Sequence, residues 1–385
     1  MGRIFRKKNS KNIGTDNLKL YSTIKLYFDT IKYLKSKQIF YRLLFYLKKI
    51  ITHRPKSSNV GLRSKNFLWV NPPLNTVSML KVNVFIFLDK KIKFKKFPEW
   101  NNSNLEKLWL YNIHYFEYLN SYKSSNKIND CRILIKDWIN TNTLKSTPGW
   151  DSYPISLRIV NWIKWYLKGN DILDYEKESL SIQAEYLFHN IEWHLMGNHL
   201  FANAKALVFA GAFLEGNETN KWFDKGIKLI IDQCKEQILN DGGHFERSPM
   251  YHSIIYEDIL DIINLSKVYP DIFSKWKNNI DNFKILCKKM SHWLEAMTHP
   301  DNKVSFFNDS SMQIAKKKNL LFAYHKKILS FRKPLLNEIT FLKESGYIRI
   351  SKKNFDIIID VAPIGPDYIP GHGHADTLSY EVSLF

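Results

Sequence analysis

Between Trp109 and Met297 the chain carries eight apolar, aromatic-rich segments at helical spacing, and nothing between them alternates as a strand would. They run over roughly 109–121, 129–141, 154–168, 173–195, 199–215, 219–239, 249–267 and 275–297, separated by short glycine, proline and polar turns. A helix must bury its apolar stripe, and connections this short leave antiparallel neighbours as the partners. The pattern predicts a mainly α protein built of stacked helical hairpins. Trp109, Tyr111, Tyr115, Trp150, Tyr153, Trp162, Trp165 and Trp193 are more aromatics than such a core needs, and sugar rings stack on aromatic faces. Taken singly, each also serves as core.

The flanks differ in texture. Of a net charge of +20, a surplus of 13 falls in residues 1–56, with 15 Lys and Arg against two Asp. There Leu20, Ile24, Tyr27, Ile31 and Leu34, then Phe40, Leu43, Leu44 and Leu47, recur at helical spacing among lysines. Two basic amphipathic helices follow from this, able to cover the next domain or to make peripheral contact with an anionic membrane. Pro55, Ser57, Ser58, Pro72 and Pro73 mark a linker, and 82–97 reads as a hairpin around Asp89-Lys90-Lys91. After Asn302 the segments 343–350, 354–361 and 378–385 read as strands. A sheet of two or three strands leaves an edge and an apolar face uncovered, so the expectation is a β domain begun but truncated. The division expected is 1–80 arm and linker, 81–300 helical domain, and 301–385 connection and first strands.

Several classes drop out. With 44% apolar and 15% aromatic residues over 385 positions, the chain is not disordered. Cys131, Cys234 and Cys287 form no Cys-x-x-Cys pair and read as buried thiols, without a disulfide framework or zinc knuckle. No run of about 20 apolar residues and no signal-peptide core is present, which reads as a cytoplasmic chain. Nothing resembles a nucleic-acid module, a phosphate loop, a Gly-x-Ser-x-Gly elbow or a His-Glu-x-x-His helix.

Three stretches carry chemistry. In Asp241–His252 a glycine turn runs into Ser248-Pro249, the N-cap and first-turn pair of a helix, and sets Tyr251 and His252 in its first turn. Unpaired N–H groups and the helix dipole there favour an ionised phenol, so Tyr251 can act as acid or base. In Glu192–Leu200, Gly197 reads as the end of one helix and Asn198 as the cap of the next. Asn198 with His199 can equally take up the charge of a substrate carboxylate. In Pro370–Asp376, His372, His374 and Asp376 would share one face of a strand, a metal-binding or catalytic spacing. Glu246 and Asp309 supply a separate alternative, the two carboxylates of an inverting glycoside hydrolase.

These stretches together resemble the heparinase II/III-like polysaccharide lyases, related in architecture to alginate and oligoalginate lyases. The resemblance runs through 108–116, 153–162, 197–207, 241–252, 307–310 and 372–376, in that order. It implies an incomplete (α/α) toroid followed by the start of an antiparallel β-sandwich, with the site in the cleft between them. It implies cleavage of a uronic-acid glycan by β-elimination, with Tyr251 as base and acid, Asn198 and His199 neutralising the carboxylate, and His372 at the reacting centre. Arg158, His114, Trp109, Arg247, His252 and Glu246 become contacts to an acidic polysaccharide substrate. His374 would be the first ligand of a structural divalent metal, zinc or calcium, in the sandwich; the chemistry needs no cofactor. Missing downstream ligands leave room for an inactive glycan-binding remnant, and the lack of an export signal points to cell-envelope polysaccharide metabolism.

Overall fold

Every one of the eight expected segments is a helix, most of them within two residues of the expected ends. The computed structural model describes residues 22–23, 25–48, 55, 59–122, 124–144, 146–312, 314–369, 371, 373–374 and 376–385. An N-terminal helix α1 (Ser36–Lys48) precedes the toroid. There follow α2 (Lys107–Tyr115), α3 (Ile128–Thr141), α4 (Ser152–Leu167), α5 (Asp174–His189), α6 (Gly197–Phe213), α7 (Thr219–Gln237), α8 (Pro249–Val268) and α9 (Lys277–Ala296). A further helix, α10 (Lys318–Ile328), lies in the stretch read as a connection. It packs on α8, where Tyr256 Oη and His325 Nδ1 are 2.5 Å apart and Tyr324 donates to Asp261 at 2.9 Å.

Helix α6 is the hub, in contact with α4, α5, α7 and α8. Its run from Leu200 to Phe213 is buried on all sides and apolar but for Asn203 and Lys205, the latter paired with Asp258 and Asp261 of α8. Glycine makes its closest crossing possible. A Cβ on Gly226 of α7 would lie 2.8 Å from Ala204 O and Val208 N of α6. Most of the aromatic surplus goes into this core rather than to a sugar-facing surface. Trp109, Trp162 and Trp165 are at most 2% exposed, and Trp162 meets Trp138 and Phe116 edge-on at 5.9 and 5.3 Å.

Three small β elements frame the helices. β1 (Gly61–Leu62) pairs with β5 (Leu214–Glu215), and β2 (Met79–Lys81), β3 (Val84–Phe87) and β4 (Lys90–Lys93) form an antiparallel ribbon. The β3–β4 turn falls one residue earlier than expected, at Leu88-Asp89, both with positive φ, the geometry of a two-residue type I′ turn. The C-terminal sheet is antiparallel in the order β6 (Ile339–Leu342), β7 (Tyr347–Lys352), β8 (Phe355–Asp360), β9 (Tyr380–Leu384). One face puts Leu342, Tyr347 and Ile358 against Trp293, Met297 and Phe307. Arg349, paired with Asp356, donates to Ala296 O and Thr298 O and so satisfies carbonyls at the end of α9. The other face leaves Ile339, Phe341, Tyr380, Val382 and Leu384 exposed, the uncovered apolar face expected.

The N-terminal arm covers the corner between α5 and α6. Tyr41 stacks on Trp193, Phe45 stacks on His194, and Lys35 pairs with Glu236 at 2.6 Å. Gln38 donates to Tyr368 O in the loop after β8. Phe40, Leu43 and Leu47 stay exposed. Among the described residues, no helix is long and apolar enough to cross a membrane.

Candidate functional site

Tyr251 stands in the first turn of α8, as Ser248-Pro249 predicts: Ser248 is the N-cap and its Oγ accepts from Tyr251 N at 3.2 Å. The turn leading there is held on both sides. Asp241 accepts from Gly243 N at 3.0 Å and from Ser345 N at 2.7 Å, tying the toroid to the sheet. The phenol reaches Asp309, donating to Oδ2 at 3.3 Å. Asp309 in turn is fixed by its own carbonyl, which accepts from Ser248 Oγ at 3.0 Å. Here one expectation reverses. Burial, then the carboxylates of Asp309 and Glu246, push the Tyr251 phenol well above its ordinary ionisation, overriding the helix dipole.

The second stretch is built differently from its sequence reading. Helix α5 stops at His189, Met196 is the residue before α6, and Gly197 and Asn198 lie in its first turn rather than at a helix end and a cap. Met196 and Gly197 both take positive φ, 62° and 52°. A Cβ on Gly197 would sit 2.6 Å from Glu246 Oε1, so this glycine lets the buried carboxylate of the first stretch press against the second. Next to it Asn198 is 9% exposed, and His199 puts Nδ1 3.4 Å from Glu192 Oε2 and its ring 4.4 Å from that of Tyr153. Asn203 locks the corner by donating to Glu192 Oε2 and Ser156 Oγ while accepting from Glu192 N. Tyr153 lies within the fields of both Tyr251 and Glu192.

The structure therefore gathers Tyr251, Asp309, Glu246, Asn198, His199, Tyr153 and Glu192 at the seam between toroid and sheet. The sequence assigns Asp309 a role only as a hydrolase carboxylate, although it lies in the 307–310 stretch of the lyase resemblance. The sequence carries no signal for Glu192, whose role depends on the Asn203 clamp. A cavity of about 360 Å³ beside the seam is lined by Glu246, Tyr33, Ile364, Ile369 and Gly373.

Four expected substrate contacts are corrected to structural parts, because their side chains are sealed from any polymer. His114 is 0% exposed, takes the Trp138 N–H on Nδ1 and sits 2.9 Å from Trp100 O through Nε2. Burial, with Arg158 nearby, pushes it down to about 3. Arg158 is also 0% exposed, bonded to Gln183 and stacked 3.8 Å over Trp138. Trp109 donates to Lys90 O, fastening the β3–β4 ribbon. His252 is 0% exposed, lies 3.1 Å from Met290 O, and is driven to about 3 by burial. Arg247 works at the seam: its guanidinium bonds Pro363 O, and its carbonyl accepts from Tyr347 and Asn308.

His372 lies outside the described residues. Its neighbours are anchored, since Asn308 N donates to Asp376 and His374 N donates to Asn308 Oδ1. The His374 side chain is exposed, and among the described residues no group of three or more His, Cys, Asp or Glu could hold a metal ion.

Helical hairpins wrapped into a partial toroid, closed by an antiparallel sheet with a tyrosine at the seam, define a two-part α/α-toroid class. The family model described as Heparinase II/III N-terminus matches residues 31–333, and Heparinase II/III-like, C-terminal, matches residues 335–384. The chain belongs to the heparinase II/III family. It is 27% identical over 196 residues to a heparin-sulfate lyase of Bacteroides thetaiotaomicron, covering 46% of this chain and 27% of that protein. It is 29% identical over 135 residues to the heparin-sulfate lyase of Pedobacter heparinus, covering 33% of this chain and 19% of that protein. The chain thus matches under a third of either relative's length. A solved heparinase III shares the fold at a TM-score of 0.59 and 17% identity, over 97% of this chain and 64% of that one.

Proposed function

We propose that the chain is a polysaccharide lyase that cleaves an acidic, uronate-containing glycan by β-elimination. The observation that carries this is that Glu246, whose charge acts on Tyr251, also presses against Gly197 at the start of the Asn198-His199 turn. The C5 proton of a uronate is far too weakly acidic for a phenol to remove until the adjacent carboxylate charge is offset. Asn198 and His199 supply that offset by hydrogen bonding, so that negative charge can build on the carboxylate as an enolate. Tyr251 takes the C5 proton and then protonates the departing O4. The expected structural metal finds no ligand set among the described residues.

The hydrolase alternative fits less well: Asp309 Oδ2 accepts from the Tyr251 hydroxyl, and Glu246 is 2% exposed against Gly197. Heparan sulfate and other uronate glycans, offered to the purified chain, should yield the conjugated ultraviolet chromophore of an unsaturated uronate, and Tyr251→Phe should abolish it. New reducing ends without the chromophore would establish the hydrolase instead, and binding without turnover a non-catalytic glycan binder.

A further inference from the structure

Covering the toroid corner needs only apolar contact, as Tyr41 and Phe45 supply it, yet the start of α1 is also bonded to one particular point, Tyr368 in the loop between β8 and β9. Gln38 is 3% exposed. Its Oε1 accepts from Lys35 N at 2.9 Å, the return half of a capping box, and its Nε2 donates to Tyr368 O at 3.1 Å. A buried amide used at both ends is costly to move, because either bond would be left unmade. Lys35 Nζ lies 3.8 Å over the centre of the Tyr368 ring and 2.6 Å from Glu236 Oε1. The Tyr368 hydroxyl donates to that same oxygen at 2.7 Å. Arm, loop and α7 therefore meet on one tyrosine.

The chain neighbours of this meeting point reach the site. Ile369, next to Tyr368, puts Cδ1 3.5 Å from where a Cβ on Gly197 would stand. Gln237, next to Glu236, donates to Gly197 O at 2.9 Å, and its Oε1 lies 3.0 Å from His244 Nε2. The residue that starts α6 is held from α7 through its carbonyl and from the loop across its open side. Asn198 and His199 follow it directly.

We propose that Lys35, Gln38 and Tyr368 are positioning residues of the elimination: the arm holds Ile369 against Gly197 and so fixes the Asn198-His199 turn that takes up the substrate carboxylate's charge. This rests on the lyase reading for what the positioning serves. Groups that must meet a developing enolate help only if they are in place before it forms, since reorganising them at that moment would cost what they supply. The three residues act through the α6 turn and need not touch the glycan.

The test uses the full chain with Gln38→Ala, Lys35→Met and Tyr368→Phe, the last losing only a hydroxyl and keeping its ring beneath Lys35. Hydrogen exchange needs no substrate: amides of 200–203, the first bonded turn of α6, should exchange about fivefold faster, the scale of one lost hydrogen bond, while α3 keeps its wild-type rates. With heparan sulfate, kcat should fall about tenfold, less than the roughly 100-fold that an ångström of misplacement costs. KM and the urea midpoint of Tyr368→Phe should stay close to wild type, because the lost interaction belongs to the transition state. Lys35→Arg should restore most of kcat, and Lys35→Met with Tyr368→Phe should lose less than the two separate losses combined, since both act on Glu236. A wild-type kcat in Tyr368→Phe and Gln38→Ala overturns the proposal, as does unchanged exchange at 200–203 or a kcat that only tracks the urea midpoint. A wild-type chain that eliminates no uronate glycan overturns the lyase reading instead, and the exchange rates alone then decide whether the arm holds the α6 turn.

Discussion

Three glycines with positive φ differ in what a methyl group would strike, and so separate backbone strain from crowding. Gly169 (φ 104°) has nothing within 4 Å of an added Cβ; at Gly197 (φ 52°) the nearest atom is Glu246 Oε1 at 2.6 Å; at Gly242 (φ 92°) it is the Lys289 backbone at 2.4 Å. An L side chain in this region costs about 1–2 kcal/mol. Alanine also narrows the unfolded ensemble, which returns about 0.4–1 kcal/mol. Gly169→Ala should therefore lose only about 1 kcal/mol. Gly197→Ala adds displacement of a buried carboxylate that can swing by a few tenths of an ångström, for a total near 2 kcal/mol on the overpacking scale. Gly242→Ala pushes against the fixed backbone of α9 and should lose about 3–4 kcal/mol by the same scale. Urea midpoints for the three variants should fall in that order, and only Gly197→Ala should lose elimination out of proportion to stability, since Glu246 borders Tyr251. Equal midpoints for Gly169→Ala and Gly242→Ala would refute the close approach of the 241–243 turn to α9. Undiminished elimination by a folded Gly197→Ala would refute the contact that joins the two halves of the site.

Acid should weaken the fold through His114 and His252, each held near 3 against an ordinary 6.5. Both are neutral in the folded state, so their contribution is whole above the unfolded value and is lost as pH falls from about 6.5 towards 3, by up to about 1.4 kcal/mol per unit for each. Urea midpoints between pH 7 and 4 should fall less steeply in His252→Gln than in the wild type. Arg349→Met strands the buried carboxylate of Asp356 and should cost about 3–5 kcal/mol. Hydrogen exchange should show that loss first in β7 and β8, and an unchanged exchange pattern there would mean the pair does not dock the sheet.

The helices were legible because their apolar period and glycine–proline punctuation are local signals, and Tyr251 because Ser-Pro marks its turn. Helix α10 was missed for the same reason: eleven residues edged by lysines give a weak period, and Asp261 of α8, 63 positions away from Tyr324, supplies the bond that holds it. The four buried residues mistaken for substrate contacts show where local reading stops. A histidine or arginine on an aromatic helix looks the same whether it faces a cleft or a core, and what decides is a partner elsewhere: the Trp138 N–H for His114, Gln183 for Arg158, the Met290 carbonyl for His252. Buried polar groups of this kind are costly unless satisfied, and once satisfied they fix helices rigidly against one another. The site repeats that logic at its edge. The cap that starts α8 is written in the sequence, but its hydroxyl also holds a loop some 60 residues downstream, and that second bond, which no local pattern announces, brings the Asp309 carboxylate to the Tyr251 hydroxyl.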